Sequence, residues 1–152
     1  MLKMKPMKRY WSASLLLLVT TCALAQTSKS DLCRDWKIKK GWFGDDNIVL
    51  EQLDTARQRS AAQVLAFKQE GALTTTYYNP QKVGVCGNGM LYFDAAAWSL
   101  NFNDITFDVA GGHFASDKFH YKMTYSVMLL SKGMLVLKKE KVDMVEEKKI
   151  GQ

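Results

Sequence analysis

From residue 32 onward, apolar and polar side chains alternate along most of the chain. The segments 97–102 (Ala-Trp-Ser-Leu-Asn-Phe) and 119–125 (Phe-His-Tyr-Lys-Met-Thr-Tyr) show this pattern clearly. A period of two is typical of β-strands that bury one face. Turn signals separate the alternating runs at Glu70-Gly71, Asn103-Asp104 and Ser131-Lys132-Gly133. The pattern predicts seven or eight antiparallel strands joined mostly by short connections.

The segment 47–63 departs from this alternation. Its apolar residues recur at a spacing closer to a helix than to a strand, and the polar residues 45–47 ahead of them are suited to cap a helix. This spacing predicts a short helix near Leu50 to Arg59. The alternative is a strand around Ile48 to Leu53 followed by a polar loop.

A meander of antiparallel strands with one apolar face has to bury that face and protect its edges. Closing the sheet into a barrel does both. A two-sheet sandwich is the competing architecture, but its crossovers need longer connections than most of those seen here. We therefore expect an all-β fold, an antiparallel up-and-down barrel of about eight strands.

The N-terminus has the composition of an export signal. Four basic residues precede residue 10, no acidic residue precedes Asp31, and an apolar run ends in Ala23-Leu24-Ala25. A basic start, a short apolar stretch and small residues at its end are typical of a cleavable secretory signal. The apolar stretch, Ser12 to Ala25, is shorter than the roughly 20 residues that span a bilayer. We predict a signal peptide over 1–25 and a single domain over 26–152, exported to the periplasm or secreted, with no transmembrane anchor after cleavage.

Cys22 introduces an alternative to release at Ala25. Lipoprotein signals end in a cysteine that becomes lipidated, but the residue before that cysteine is normally small, whereas Thr21 precedes Cys22 here. Lipidation at Cys22 is therefore the less favoured alternative. It would tether the protein to a membrane surface, and the domain that follows would be unaffected.

Removing the signal peptide changes the charge of the protein. The chain carries 21 basic and 15 acidic residues, a net charge of +6, but four of the basic residues and none of the acidic ones lie in 1–25. The mature chain therefore has a net charge of about +2. A balance this close to zero does not favour a polyanionic partner, and we expect no nucleic-acid binding.

Cleavage after Ala25 would also leave two cysteines, Cys33 and Cys86. A pair of cysteines in an oxidising compartment favours a disulfide. In the chain-entropy model a bridge across this loop stabilises the fold by about 3–4 kcal/mol. The alternative is two unpaired residues in the core, since free cysteines are often buried.

Several segments together resemble lipocalin-like domains, most closely the small exported ones of bacteria. Residues 32–38 (Leu-Cys-Arg-Asp-Trp-Lys-Ile) resemble the opening strand, whose Trp, here Trp36, closes the barrel base. Residues 64–71 resemble an early hairpin, residues 97–100 a central Trp strand, and residues 121–137 the closing hairpin. The resemblance spans most of the mature chain and implies a barrel that starts with a strand over 32–38. It implies no particular ligand, because such folds carry many functions.

Catalytic and cofactor-binding patterns are not evident in the sequence. The two histidines, His113 and His120, have no partner that would form a nucleophilic set, and no serine lies in a nucleophile-elbow pattern. The glycine-rich stretch 84–89 lacks the helix and lysine of a phosphate loop. Two cysteines so far apart, with no neighbouring histidine, make a poor zinc site. We expect a protein that is not an enzyme and has no cofactor or metal.

A barrel of eight strands has an interior just large enough for side chains or for one small ligand. If it binds a molecule, an apolar lining with a few hydroxyl groups suits a small hydrophobic one. The alternative is a filled core, with the surface acting as a protein-interaction module. The candidate lining residues are Trp36, Phe67, Tyr77, Trp98, Phe102, Phe107, Tyr121, Met123 and Tyr125.

Trp42 and Phe43 follow Gly41 in a predicted loop. Two large apolar side chains at this place would form a lid over the barrel mouth or an exposed contact patch. A cavity beneath them would favour ligand transport, whereas a filled barrel with both rings exposed would favour the interaction module.

Overall fold

In a computed structural model, which describes residues 27–82, 84, 90–113 and 118–148, the chain is an all-β protein. Its eight antiparallel strands form one sheet that curls into a nearly closed barrel. The predicted all-β barrel of eight antiparallel strands is confirmed and is consistent with a lipocalin-like barrel. The predicted up-and-down order is wrong at one place, because β2 pairs with β8 and not with β3. The predicted signal peptide, Cys22 and Cys86 lie outside the described residues.

The strands fall into a short and a long group. The first four have six residues each and the last four have 10–15. The elements are α1 (Lys29–Leu32), β1 (Asp35–Lys40), β2 (Asn47–Gln52), β3 (Ala62–Phe67), β4 (Leu73–Tyr78), β5 (Leu91–Asn101), β6 (Asp104–His113), β7 (Lys118–Leu130) and β8 (Met134–Lys148).

The order of the strands is β4-β3-β1-β2-β8-β7-β6-β5, so β1 lies between β2 and β3. Because β1 is antiparallel to both neighbours, β2 and β3 run parallel, and residues 53–61 have to cross β1 to connect them. This crossing segment is tied to β1 where Lys37 Nζ donates to Gln58 Oε1 over 2.7 Å. Val64 and Ala66, on the same face of β3 as the segment, are buried.

The barrel closes along a seam between β4 and β5. A backbone bridge joins Ala72 to Ala97, and Trp98 N donates to Gly71 O over 2.7 Å. Further along the seam, the buried side chain of Gln63 continues the pairing. Its Oε1 accepts from Leu91 N (3.3 Å) and its Nε2 donates to Leu91 O (3.2 Å) and to Thr75 Oγ1. The side-chain amide of Gln63 therefore pairs with β5 as the backbone peptide group of a neighbouring strand would.

The two ends of the barrel are built differently. The base is the end that carries α1 and the turns at 68–72, 102–103 and 131–133, and the mouth is the end that carries the loop 41–46. Trp36, fully buried, closes the base, and its Nε1 donates to Leu32 O over 2.9 Å. The predicted role of Trp36 at the base agrees with this position.

Two local predictions are wrong. No helix forms near Leu50 to Arg59: residues 47–52 are β2, which pairs with β1 on one side and with β8 on the other. The alternative strand and polar loop are what the chain forms, because Ile48 and Leu50 alternate into the core. Leu32 belongs to α1, and the first strand starts only at Asp35.

Candidate functional site

The centre of the barrel is filled by the protein's own aromatic rings. Phe67 lies edge-on to Trp98 (5.1 Å between ring centroids) and to Phe107 (5.7 Å), and Phe107 contacts Tyr125 (5.7 Å). Tilted contacts at these distances are favourable beyond the burial of area alone. Six of the predicted lining residues are buried in the core: Trp36, Phe67, Trp98, Phe107, Met123 and Tyr125.

Two further lining residues are half-buried and lie towards the mouth. Tyr121 stacks on Phe119, with centroids 5.2 Å apart, and packs against the core. Tyr77 is paired with Gln63 across β3 and β4, beside the seam. Both positions agree with the predicted inward direction, although neither residue belongs to the buried centre.

The prediction for Phe102 is wrong, because this side chain is 73% exposed. Asn101 pairs with Asp104, so Phe102 and Asn103 are the two central residues of a hairpin turn between β5 and β6. The inward alternation of Trp98 and Leu100 stops there, since the strand ends one residue before Phe102. The sequence pattern shows the alternation but does not show where the turn begins.

The two residues of the predicted lid, Trp42 and Phe43, point in different directions. Phe43 turns into the barrel mouth, where its ring lies 5.4 Å from Phe93 and 5.2 Å from Phe107. Trp42 points outward and is 56% exposed. Gly41 and Gly44 flank the pair with φ of 77° and 103°, a left-handed conformation that glycine adopts without strain. A Cβ at Gly41 would lie 2.3 Å from the backbone oxygen of Asn47.

The loop 41–46 is held by Tyr125 and Lys139. The Tyr125 hydroxyl accepts from Gly44 N and donates to Asp45 O, both over 3.1 Å, and burial raises the pKa of Tyr125 to about 12. Lys139 Nζ donates to Gly44 O and pairs with Asp46, both at 2.8 Å. The hydrogen bond from Lys139, helped by its charge, lowers the pKa of Asp46. A buried hydroxyl and a half-buried ammonium therefore keep Phe43 in the mouth.

A groove of about 580 Å³ opens at the base. One wall is polar and comes from the chain around α1 and the last turn, and the other is apolar and comes from the end of β7. The lining residues are Thr27, Ser28, Asp31, Arg34, Asn103, Val127, Met128, Leu129, Leu130, Ser131 and Lys132. The sequence analysis did not predict this site.

A β-bulge exposes the apolar wall of the groove. Val127 pairs with Leu137 and Leu129 pairs with Val136, so Met128 is an extra residue without a partner on β8. Met128 is 61% exposed and Leu129 47%. Bulges often redirect a side chain in this way. The only sequence signal was the run Met128-Leu129-Leu130, which breaks the alternation.

Titratable clusters are few in the part of the chain that the structure describes. His120 Nε2 lies 2.7 Å from Asp108 Oδ1, and this pair lies at the outer surface of the sheet. Among the described residues, no three potential metal ligands lie together. No described helix is long and apolar enough to cross a membrane.

Comparison with known proteins yields nothing. No family model, curated protein or solved structure matches this chain. The proposals below therefore rest on the geometry and the sequence alone.

Cys33, one of the two cysteines of the predicted disulfide, is a half-buried free thiol in the structure. Its Sγ donates to Gln69 Oε1 over 3.0 Å, and burial raises its pKa. Because Cys86 lies outside the described residues, the bridge stays a prediction.

Proposed function

We propose that this chain is an exported, lipocalin-like barrel that acts through its outer surface and is not a carrier of an interior ligand. The observation that carries the proposal is the aromatic cluster in the barrel centre. Phe107 contacts both Phe67 and Tyr125 where a ligand of a lipocalin-like barrel would lie. Phe43 adds a further ring from the mouth side.

Side chains fill the interior, so contact with a partner falls to the outer surface. Among the described residues, five large apolar side chains are exposed, and three of them, Phe102, Met128 and Leu129, lie on elements that end at the base. Scattered exposed apolar residues are ordinary, but a group of them beside a groove is typical of a contact site. We therefore assign the contact face to the base of the barrel.

Native mass spectrometry of the exported protein, purified without detergent, tests the proposal. We expect the mass of the polypeptide alone, and no bound molecule in an organic extract. A hydrophobic molecule retained at one copy per chain would contradict the surface proposal. A Phe107→Trp variant locates such a molecule, because added volume in the centre would displace an interior ligand but leave a surface one bound.

Interior ligand binding is the second candidate, and the loop 41–46 favours it. Two glycines with positive φ flank Trp42 and Phe43, so the loop has hinge-like positions on both sides of the ring that blocks the mouth. If the loop opens for a ligand, Phe43→Ala should speed the uptake of a fluorescent fatty acid. Under the surface proposal Phe43→Ala lowers stability by about 1–3 kcal/mol and confers no uptake.

We also propose the disulfide between Cys33 and Cys86 in the exported protein. Cys33 lies just after α1, at the base, whereas Tyr78 and Leu91, which flank the connection that carries Cys86, lie at the mouth. The bridge therefore requires this connection to run back along the barrel. Thiol counting on denatured, unreduced protein decides the question. We expect no reactive thiol in protein that starts at Gln26, and two reactive thiols would exclude the bridge.

A further inference from the structure

We propose that the base of the barrel is a docking face for a phospholipid bilayer, with Phe102 and Met128 entering the lipid interface. This inference rests on the proposed surface function and names the partner of that surface. It follows from how two apolar side chains are exposed, from the two walls of the groove, and from the position of Thr27 beside it.

Phe102 is presented at a conformational cost. Its φ of 54° is in the left-handed region, which disfavours every residue with a Cβ and bulky ones most. Glycine is the usual residue where a two-residue hairpin turn needs positive φ. The exposed ring recovers little of this cost by burial. Strain without a folding benefit points to a function of the side chain itself.

Met128 is exposed at the same end by a different backbone feature, a β-bulge. The bulge between Val127 and Leu129 pushes it out of the ladder. The two devices are linked, because Val127 N donates to the backbone oxygen of Asn103 over 2.8 Å, next to Phe102 in the turn. A turn and a bulge held together thus expose two large apolar side chains near one end of the barrel, where the Met128 Sδ accepts from Ser126 Oγ over 3.7 Å.

The groove beside these side chains matches the two chemistries of a phospholipid. The polar wall carries two cationic residues, Arg34 and Lys132, and one anionic residue, Asp31. Arg34 Nη1 donates to the backbone oxygen of Lys132 over 3.1 Å and to Gln52 Oε1 over 3.2 Å. Guanidinium and ammonium groups are the side chains that bind phosphate. The opposite wall, Val127 to Leu130, is apolar. Exposed apolar side chains beside cationic groups suit the membrane interface, where acyl chains lie beneath the lipid phosphates.

The chain also enters the fold at this end. Thr27 lines the groove, and its backbone N donates to Asn103 Oδ1 over 3.0 Å. Cys22 is only five residues earlier, so a lipid on it would lie within about 18 Å of Thr27. A signal segment still inserted before cleavage at Ala25 would be equally close. Either attachment would direct the base towards the bilayer, but neither persists in a chain that starts at Gln26. For that chain, the choice of a membrane over a protein partner rests on the exposed apolar side chains beside the cationic residues of the groove.

Vesicle binding by the exported protein tests the proposal. The probes are phosphatidylcholine vesicles, alone and mixed with phosphatidylglycerol. In a flotation assay we expect the protein to bind, and the double variant Phe102→Ser, Met128→Ser to lose at least about tenfold in partitioning. Trp42→Ser is the matched control: it removes an equally exposed apolar side chain at the opposite end and should leave binding unchanged.

Phe102→Gly separates docking from folding. Glycine relieves the positive φ, so we expect the melting temperature to rise by about 3–5 °C while vesicle binding falls. A variant that is more stable and binds less cannot owe its loss of binding to unfolding. An unchanged affinity would overturn the assignment of Phe102.

A fluorescence measurement extends the test to protein that is lipidated at Cys22. Phe102→Trp in a Trp42→Phe background places an indole at the tip, while Trp36 and Trp98 stay buried. We expect its emission to shift to the blue with vesicles and to be quenched by brominated acyl chains.

The lipid assignment is overturned by no binding to either vesicle, by equal losses in Trp42→Ser, or by unshifted emission. A protein that co-purifies through the base and blocks vesicle binding also overturns it. The surface function fails separately, if native mass spectrometry finds a ligand in the interior.

Discussion

Single side chains decide whether the barrel mouth stays closed. Tyr125 is fully buried, contacts Phe107 with its ring and uses its hydroxyl for two backbone groups of the loop 41–46. A tyrosine hydroxyl is protonated at neutral pH and can donate to Asp45 O, and burial raises the pKa of Tyr125 further, to about 12. One residue therefore belongs to the core through its ring and to the loop through its oxygen.

Removing that oxygen should loosen the loop. Tyr125→Phe keeps the ring contacts but leaves Gly44 N and Asp45 O without their partner, at a cost of about 1–2 kcal/mol. Urea unfolding measures this loss in the free energy of unfolding. Tyr78→Phe is the control, because the Tyr78 hydroxyl donates to Thr55 O at an exposed position, where water replaces it. An equal loss in both variants would contradict the role of Tyr125.

The pair of Lys139 and Asp46 gives the same loop a dependence on pH. Because Lys139 lowers the pKa of Asp46, the pair stabilises the fold above the ordinary carboxyl pKa of about 3.9 and is lost as pH falls through the lower folded value. In an NMR titration, Lys139→Met should raise the Asp46 midpoint towards that ordinary value. No change in the midpoint would show that the pair does not form in solution.

Secondary-structure elements were predicted well where the alternation is uninterrupted, as over 97–101 in β5 and 119–125 in β7. The prediction failed where tertiary pairing decides. The segment 47–52 has a spacing close to helical, yet β1 and β8 lie on its two sides and make it a strand. Nothing local could indicate that β1 lies between β2 and β3.

The candidate site was predicted in part, for physical reasons of the same kind. Large residues at alternating positions are buried in a barrel, so the centre around Phe67, Phe107 and Tyr125 was found. The groove at the base was not, because a positive φ at Phe102 and a bulge at Met128 are backbone features that side-chain pattern does not show. The proposed contact face therefore lies where the side-chain pattern failed to predict the structure.

At the level of strands, the seam between β4 and β5 is the feature most sensitive to mutation. Gln63→Leu keeps the volume but leaves the buried backbone groups of Leu91 unpaired, which should cost about 1–3 kcal/mol. Hydrogen exchange at Leu91 N should accelerate more than exchange in β7. Gln69→Leu, at an exposed position, serves as the control. Unchanged exchange at Leu91 would show that the side chain does not close the seam.

At the scale of the whole molecule, the proposed export decides the charge, the free cysteines and the attachment of the barrel. Intact mass spectrometry of the protein from an exporting host should give a chain that starts at Gln26. A mass that includes acyl chains on Cys22 would contradict release and place the base permanently beside a bilayer. A chain that retains residues 1–25 would contradict cleavage.

The crossing of β1 by residues 53–61 has a consequence for how the chain folds. β3 reaches its place beside β1 only when this connection has passed over β1, so the pairing of β1 with β3 is not a simple hairpin. The other edge of the β1–β2 hairpin is β2, which pairs with the distant strand β8, so that Ile48 lies opposite Leu137. Pairing over so long a stretch of chain is slow. The barrel therefore closes only when residues 134–138 pair with β2, and until then β2 has an unpaired edge.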